Sequence, residues 1–179
     1  MTAFQLVFAF LLLASSGLQA AEPARALRVL LTNDDGFAAP GIQAELTALK
    51  AAGFDVTLVA PRENQSGSGM RVTTSTLTYK EESPGVWAVD GSPADAAAVG
   101  LKVVLRDTPP DLVVSGANLG QNAGRTANIS GTVGAATMAA QLGVPAVAVS
   151  VGIDMKEAKA EPKPFPSTQA AVRRAANFT

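Results

Sequence analysis

Short apolar runs alternate with helix-period segments along the chain, and turn residues separate them. The run at 27–32 (LRVLLT) predicts a buried β-strand. Ile42, Leu46 and Leu49 then recur at helical spacing over 40–52, with Pro40 in the first turn and Gly53 just past the end. Residues 55–60 (DVTLVA) predict a second buried strand, so the first three elements form a right-handed βαβ unit with parallel strands. Residues 71–79 and 87–89 predict a small side hairpin around a turn at 81–85. Ser92, Pro93 and Asp95 have the signature of a helix start, and that helix is expected to reach about residue 105. A strand at 111–115 (DLVVS) follows. Next comes a helix of small apolar residues, opening at Ser130-Gly131-Thr132 and stopped by Gly143-Val144-Pro145, and then a strand at 146–151. An exposed linker at 156–166 and a last helix capped by Ser167 complete the pattern. Alternating strands and helices of this kind predict an α/β fold: a mostly parallel sheet, helices on both faces and a small side hairpin.

The length of 179 residues suits one domain with a sizeable core, placed here at 27–179 after a short linker at 22–26. Residues 1–21 are expected to be a signal peptide. Their apolar stretch at 4–14 has the length of a signal core and is too short to span a bilayer, although no Lys or Arg precedes it. That places the mature protein in the periplasm or outside the cell, with no membrane association. A net charge of −1, with 16% charged residues, argues against a nucleic-acid polymer as partner. The chain has neither Cys nor His. Disulfides, thiolate nucleophiles, Ser-His-Asp triads and His-ligated zinc are therefore excluded. What remains is oxygen and amide chemistry, with Mg²⁺, Mn²⁺ or Ca²⁺ as the fitting metals.

Three polar, glycine-rich loops leave successive parallel strands and must therefore lie on one edge of the sheet, where α/β proteins bind ligands. They carry Asp34 and Asp35, then Ser66, then Asn118 and Asn122. By themselves Asn33-Asp34-Asp35-Gly36 fit two readings, a surface Asp-Gly turn and a pair of carboxylates around a hard cation. Ser130 likewise fits a plain helix cap, an anion site at a helix N-terminus, or both. Two carboxylates, a hydroxyl and a carboxamide oxygen beside a helix N-terminus would suit metal-assisted phosphoryl chemistry.

Five ordered segments, RVLLTNDDGFAAPGI, VAPRENQSGSG, GSPADA, DLVVSGANLGQN and ISGTVGAA, resemble the SurE-type survival proteins, which are metal-dependent 5′/3′-nucleotidases. The resemblance spans about residues 27–151. It implies a Rossmann-like α/β domain and one divalent ion, Mg²⁺ or Mn²⁺, held by Asp34, Asp35, Ser66 and Asn118. It implies catalytic roles for Asp34 and Asp35, and a phosphate pocket lined by Asn122, Ser130, Gly131 and Thr132. Nucleoside monophosphates or other small phosphate esters are the implied partners, and association as a homodimer or homotetramer through a C-terminal extension is expected. The chain departs from the family pattern in lacking a His near Ala38 and an aromatic residue at Ile129. It is also read as truncated at Thr179. A broad acid phosphatase and a non-catalytic nucleotide-binding module are the alternatives.

Overall fold

The run at 27–32 forms β1 (Arg28–Thr32), which lies inside a six-stranded sheet. The computed structural model describes residues 25–154, together with Lys156 and Ala170. The expected signal peptide, and nearly all of the stretch expected to form a linker and a last helix after 155, lie outside these residues. On one side β1 pairs in parallel with β2 (Asp55–Pro61), which pairs in parallel with β4 (Val86–Val89). β3 (Tyr79–Ser83) closes that edge, antiparallel to β4. On the other side β1 pairs in parallel with β5 (Leu112–Leu119), and β5 with β6 (Ala146–Val151). The strand order β3-β4-β2-β1-β5-β6 gives a Rossmann-like α/β sheet, parallel except for β3.

Side chains alternate between the two faces of a strand, so a strand covered on both faces must be apolar throughout. Val29, Leu31, Val56, Leu58 and Val114 face α1 (Pro40–Ala51), which packs Ile42, Leu46 and Leu49 onto them. Leu30, Val59, Val89 and Val113 face the opposite layer. There α2 (Pro93–Val99) contributes Ala96 and Val99, and α3 (Gly131–Gln141) contributes Ala139.

Two elements differ in extent from expectation, and a third, the helix expected to reach about residue 105, differs only in type. Residues 71–78 form no strand, despite their Thr- and Val-rich composition, and the hairpin runs over β3 and β4 around Pro84-Gly85. Their backbone is committed elsewhere: Thr73 donates both its N–H and its hydroxyl to Asp95, and the Arg71 carbonyl accepts from the Ser92 hydroxyl. α2 ends at Val99 and continues as a wider π-helical stretch, Gly100–Val104. β5 runs past Ser115 to Leu119, with a register shift against β6 between Ser115 and Asn118. Asn118 is therefore held on a strand end and buried, where the sequence had suggested a loop.

Ser92 caps α2 as expected. Its side chain accepts from Asp95 N–H at 3.1 Å, and the Asp95 carboxylate accepts from Ser92 N–H at 2.9 Å. Burial pushes the Asp95 carboxyl up, but hydrogen bonds from Thr73 and Ser92 outweigh it and hold the group below its ordinary value. Ser92→Ala removes the cap and also orphans the Arg71 carbonyl. A loss of about 1–2 kcal/mol is expected, read as a lower denaturation midpoint at unchanged slope. An unchanged midpoint would show that water replaces both contacts at no cost.

Candidate active site

β1, β2 and β5 point the same way, so the chain segments leaving Thr32, Pro61 and Leu119 converge on one edge of the sheet. In the first loop the Asn33 side chain closes the turn, accepting from Gly36 N–H at 3.2 Å and donating to Gly36 O at 3.0 Å. Gly36 has φ +104°, a conformation that disfavours any other residue. This turn aims the two carboxylates differently. Asp34 is buried, and its Oδ1 accepts from the Thr132 hydroxyl at 2.7 Å. Asp35 is half-buried; Oδ2 accepts from Leu119 N–H at 3.1 Å and Oδ1 from the Asn64 amide at 3.4 Å. Burial pushes the Asp35 carboxyl above its ordinary value, the Leu119 N–H opposes this, and the Asp34 charge pushes it further up.

The second loop is tied to the first through Gln65 N–H and Asp34 O at 2.7 Å. It exposes Ser66, whose backbone N–H donates to the Asn64 side chain at 2.9 Å. In the third, Asn118 donates its amide N–H to Gly120 O at 2.7 Å, which leaves its Oδ1 as the available acceptor. α3 enters from below. Ser130 caps it, accepting from Val133 N–H at 3.2 Å. Gly131 lies so close to the first loop that a Cβ added to it would meet Asp34 Cβ at 2.7 Å and Pro93 Cγ at 2.8 Å.

A cleft of about 220 Å³ opens among these loops, with Asp34, Ser66, Asn118, Asn122 and Ser130 in its wall. Ile129 stands at its rim and is 60% exposed. Thr132, expected at a phosphate pocket, is fully buried, with its hydroxyl directed at Asp34; Asp35 does not line the cleft but accepts from Leu119, which does. Among the described residues no three His, Cys, Asp or Glu are gathered as a metal cluster. A cation here would rest on the acidic pair plus the neutral oxygens of Ser66 and Asn118. That all-oxygen set fits Mg²⁺ or Mn²⁺, which take few protein carboxylates and keep much of their water. A larger cleft of about 310 Å³, lined by Arg62, Glu63, Gln65, Arg71 and Thr73, lies across the second loop. The Arg62 charge is already engaged there, by Glu82 and Asp90 at 2.7 Å each.

The family model described as "Survival protein SurE" matches residues 29–179. The chain belongs to the SurE family. The "5'-nucleotidase SurE" of Treponema pallidum is 46% identical over 128 residues, which cover 70% of this chain and 68% of that protein. That of Methanopyrus kandleri is 44% identical over 128 residues, covering 69% of this chain and 48% of its own length. The crystal structure of the SurE protein of Aquifex aeolicus superposes with a TM-score of 0.70 at 36% identity, covering 84% of this chain and 59% of that one. This SurE-family chain thus spans about half the length of several of the relatives it matches. One contact at the site carried no sequence signal. Ser150, in the strand expected at 146–151, accepts from the Asn122 side-chain amide at 2.9 Å.

Proposed function

We propose that this chain forms the catalytic domain of a divalent-metal-dependent phosphomonoesterase that hydrolyses nucleoside 5′- and 3′-monophosphates to nucleoside and phosphate. The observation that carries it is the single cleft shared by Asp34, Ser66, Asn118, Asn122 and the N-terminus of α3. The names of the relatives, 5′-nucleotidases, supply the substrate class.

Asp34 and Asp35 provide the negative charge that retains the cation, and Ser66 and the Asn118 Oδ1 add neutral oxygens. When bound, the ion supplies Lewis acidity toward the phosphate ester and lowers the pKa of bound water. Asp34, the carboxylate in the cleft wall, receives the proton of the attacking water. Its side chain is held for this by the Thr132 hydroxyl. The Ser130 hydroxyl and the free N–H groups of the first turn of α3 stabilise charge on the transferring phosphoryl oxygens. Association as a homodimer or homotetramer, and export directed by residues 1–21, belong to the same proposal.

The test is phosphate release from AMP, dAMP, 3′-AMP and p-nitrophenyl phosphate with Mg²⁺ or Mn²⁺, before and after chelation. Chelator-sensitive release is expected. Its absence from every substrate would refute the enzyme and leave the nucleotide-binding module, which calorimetry with AMP would detect. The exposed Ile129 favours a second reading, a broad phosphatase, since an aliphatic rim gives apolar contact without the geometry of aromatic stacking. A preference for AMP over the aryl ester of at least about tenfold supports the nucleotidase, and near-equal rates support the broad enzyme.

A further inference from the structure

We infer that Ser150 is a positioning residue for Asn122, holding its carboxamide so that one N–H faces the phosphate of the substrate. The inference rests on the phosphomonoesterase reading and adds a residue that no motif marked. Asn122 sits in the segment after β5, where the backbone has no regular structure. Three contacts tie that segment to the end of β6: Gly120 N–H to Val151 O at 2.8 Å, Ile153 N–H to the Gln121 side chain at 3.3 Å, and Asn122 Nδ2 to Ser150 Oγ at 2.9 Å. The last two hold side chains of the cleft wall, Gln121 and Asn122, and the Asn122 contact is the shorter. Ser150 also pairs in register with Asn118 across β5 and β6.

The hydrogen-bond inventory settles which end of the Asn122 amide faces which partner. Thr132 has one hydroxyl proton, and it goes to Asp34 Oδ1 at 2.7 Å. Toward Asn122 the Thr132 oxygen can therefore only accept, so the Asn122 nitrogen must be the atom facing it, at 3.4 Å. Both amide hydrogens are then assigned, one to Ser150 at 2.9 Å and one to Thr132 at the long limit of a hydrogen bond. The weaker contact is the one that yields to a phosphate oxygen, a stronger acceptor than a hydroxyl. The Ser150 contact stays and sets the amide plane.

Ser150→Ala should raise KM for AMP about 3- to 10-fold, with a smaller change in kcat, and weaken competitive inhibition by inorganic phosphate by the same factor. Ser150→Thr keeps the hydroxyl on a strand position and should restore both. In an Asn122→Ala background, Ser150→Ala should have no further effect. An equal effect in both backgrounds, or no rescue by Thr, would overturn the inference. The Asn122 side-chain amide resonance, read by nitrogen-15 NMR on the unliganded protein, gives a readout that needs no turnover. It should shift and exchange faster in Ser150→Ala, and an unmoved signal overturns the inference. Absence of activity in the unmodified protein would instead refute the phosphomonoesterase reading and leave this signal to decide the role of Ser150.

Discussion

Asp34→Asn should lower nucleotide hydrolysis at least about 1,000-fold while leaving the melting temperature unchanged or raised. Asn keeps the shape of Asp and retains an Oδ1 to accept from Thr132, so the packing beneath the cleft survives. It removes one of two adjacent negative charges. The influence of Asp34 on the Asp35 carboxyl shows that the pair repel each other. The metal-free protein therefore loses a source of strain along with its cation site. Sites built for chemistry commonly cost stability in this way. Thermal unfolding in chelator, paired with AMP turnover in Mg²⁺ or Mn²⁺, separates the two effects. Activity within tenfold of the unmodified protein would remove Asp34 from the chemistry, and a clear drop in melting temperature would make its role structural.

Gly131→Ala is expected to do the opposite of what helix propensity suggests. At an ordinary helix position Ala stabilises relative to Gly by about 1 kcal/mol. Here the added methyl would lie 2.7 Å from Asp34 Cβ, 2.9 Å from Asp34 Oδ2 and 2.8 Å from Pro93 Cγ. The Asp34 Cβ and the Pro93 ring are fixed by their backbones, and the Asp34 carboxylate is restrained by the Thr132 hydroxyl on Oδ1. Either the start of α3 or the Asp34 turn must move, at a cost of about 1–3 kcal/mol in stability. The same displacement shifts the carboxylate against the α3 N–H groups, for which about 100-fold in kcat/KM is a reasonable scale. Denaturant unfolding and steady-state kinetics on one preparation check both parts. A more stable and fully active variant would show that α3 does not press on the first loop.

Much of the fold was legible because its elements report their own burial. The runs at 27–32 and 55–60 are apolar on both faces, which only a strand covered by helices on both sides requires. The strand at 146–151 and the caps at Ser92 and Ser130 lie where the sequence placed them. The stretch at 71–78 misled because its Thr and Val residues favour strands, whereas hydrogen bonds to Ser92 and Asp95 hold it against α2. Gly116 and Gly120 flank Asn118 and predict a loop, yet β5 carries it to a buried strand end.

For the site, the sequence by itself determined the chemistry available. Without His or Cys, any metal ligands had to be oxygens, and an acidic pair and glycine-rich loops after parallel strands put the candidate ones at one sheet edge. Residue types and strand direction are local properties, and they suffice for that much. The tertiary structure decided the placement. It set Asp34 in the cleft wall and Asp35 against Leu119, turned the Thr132 hydroxyl onto Asp34, and brought Ser150 to Asn122. Those contacts join residues 28 to 98 positions apart, or depend on a helix seating within van der Waals reach of a turn. No local pattern encodes them, because they exist only once the sheet has brought its carboxyl edge and α3 together.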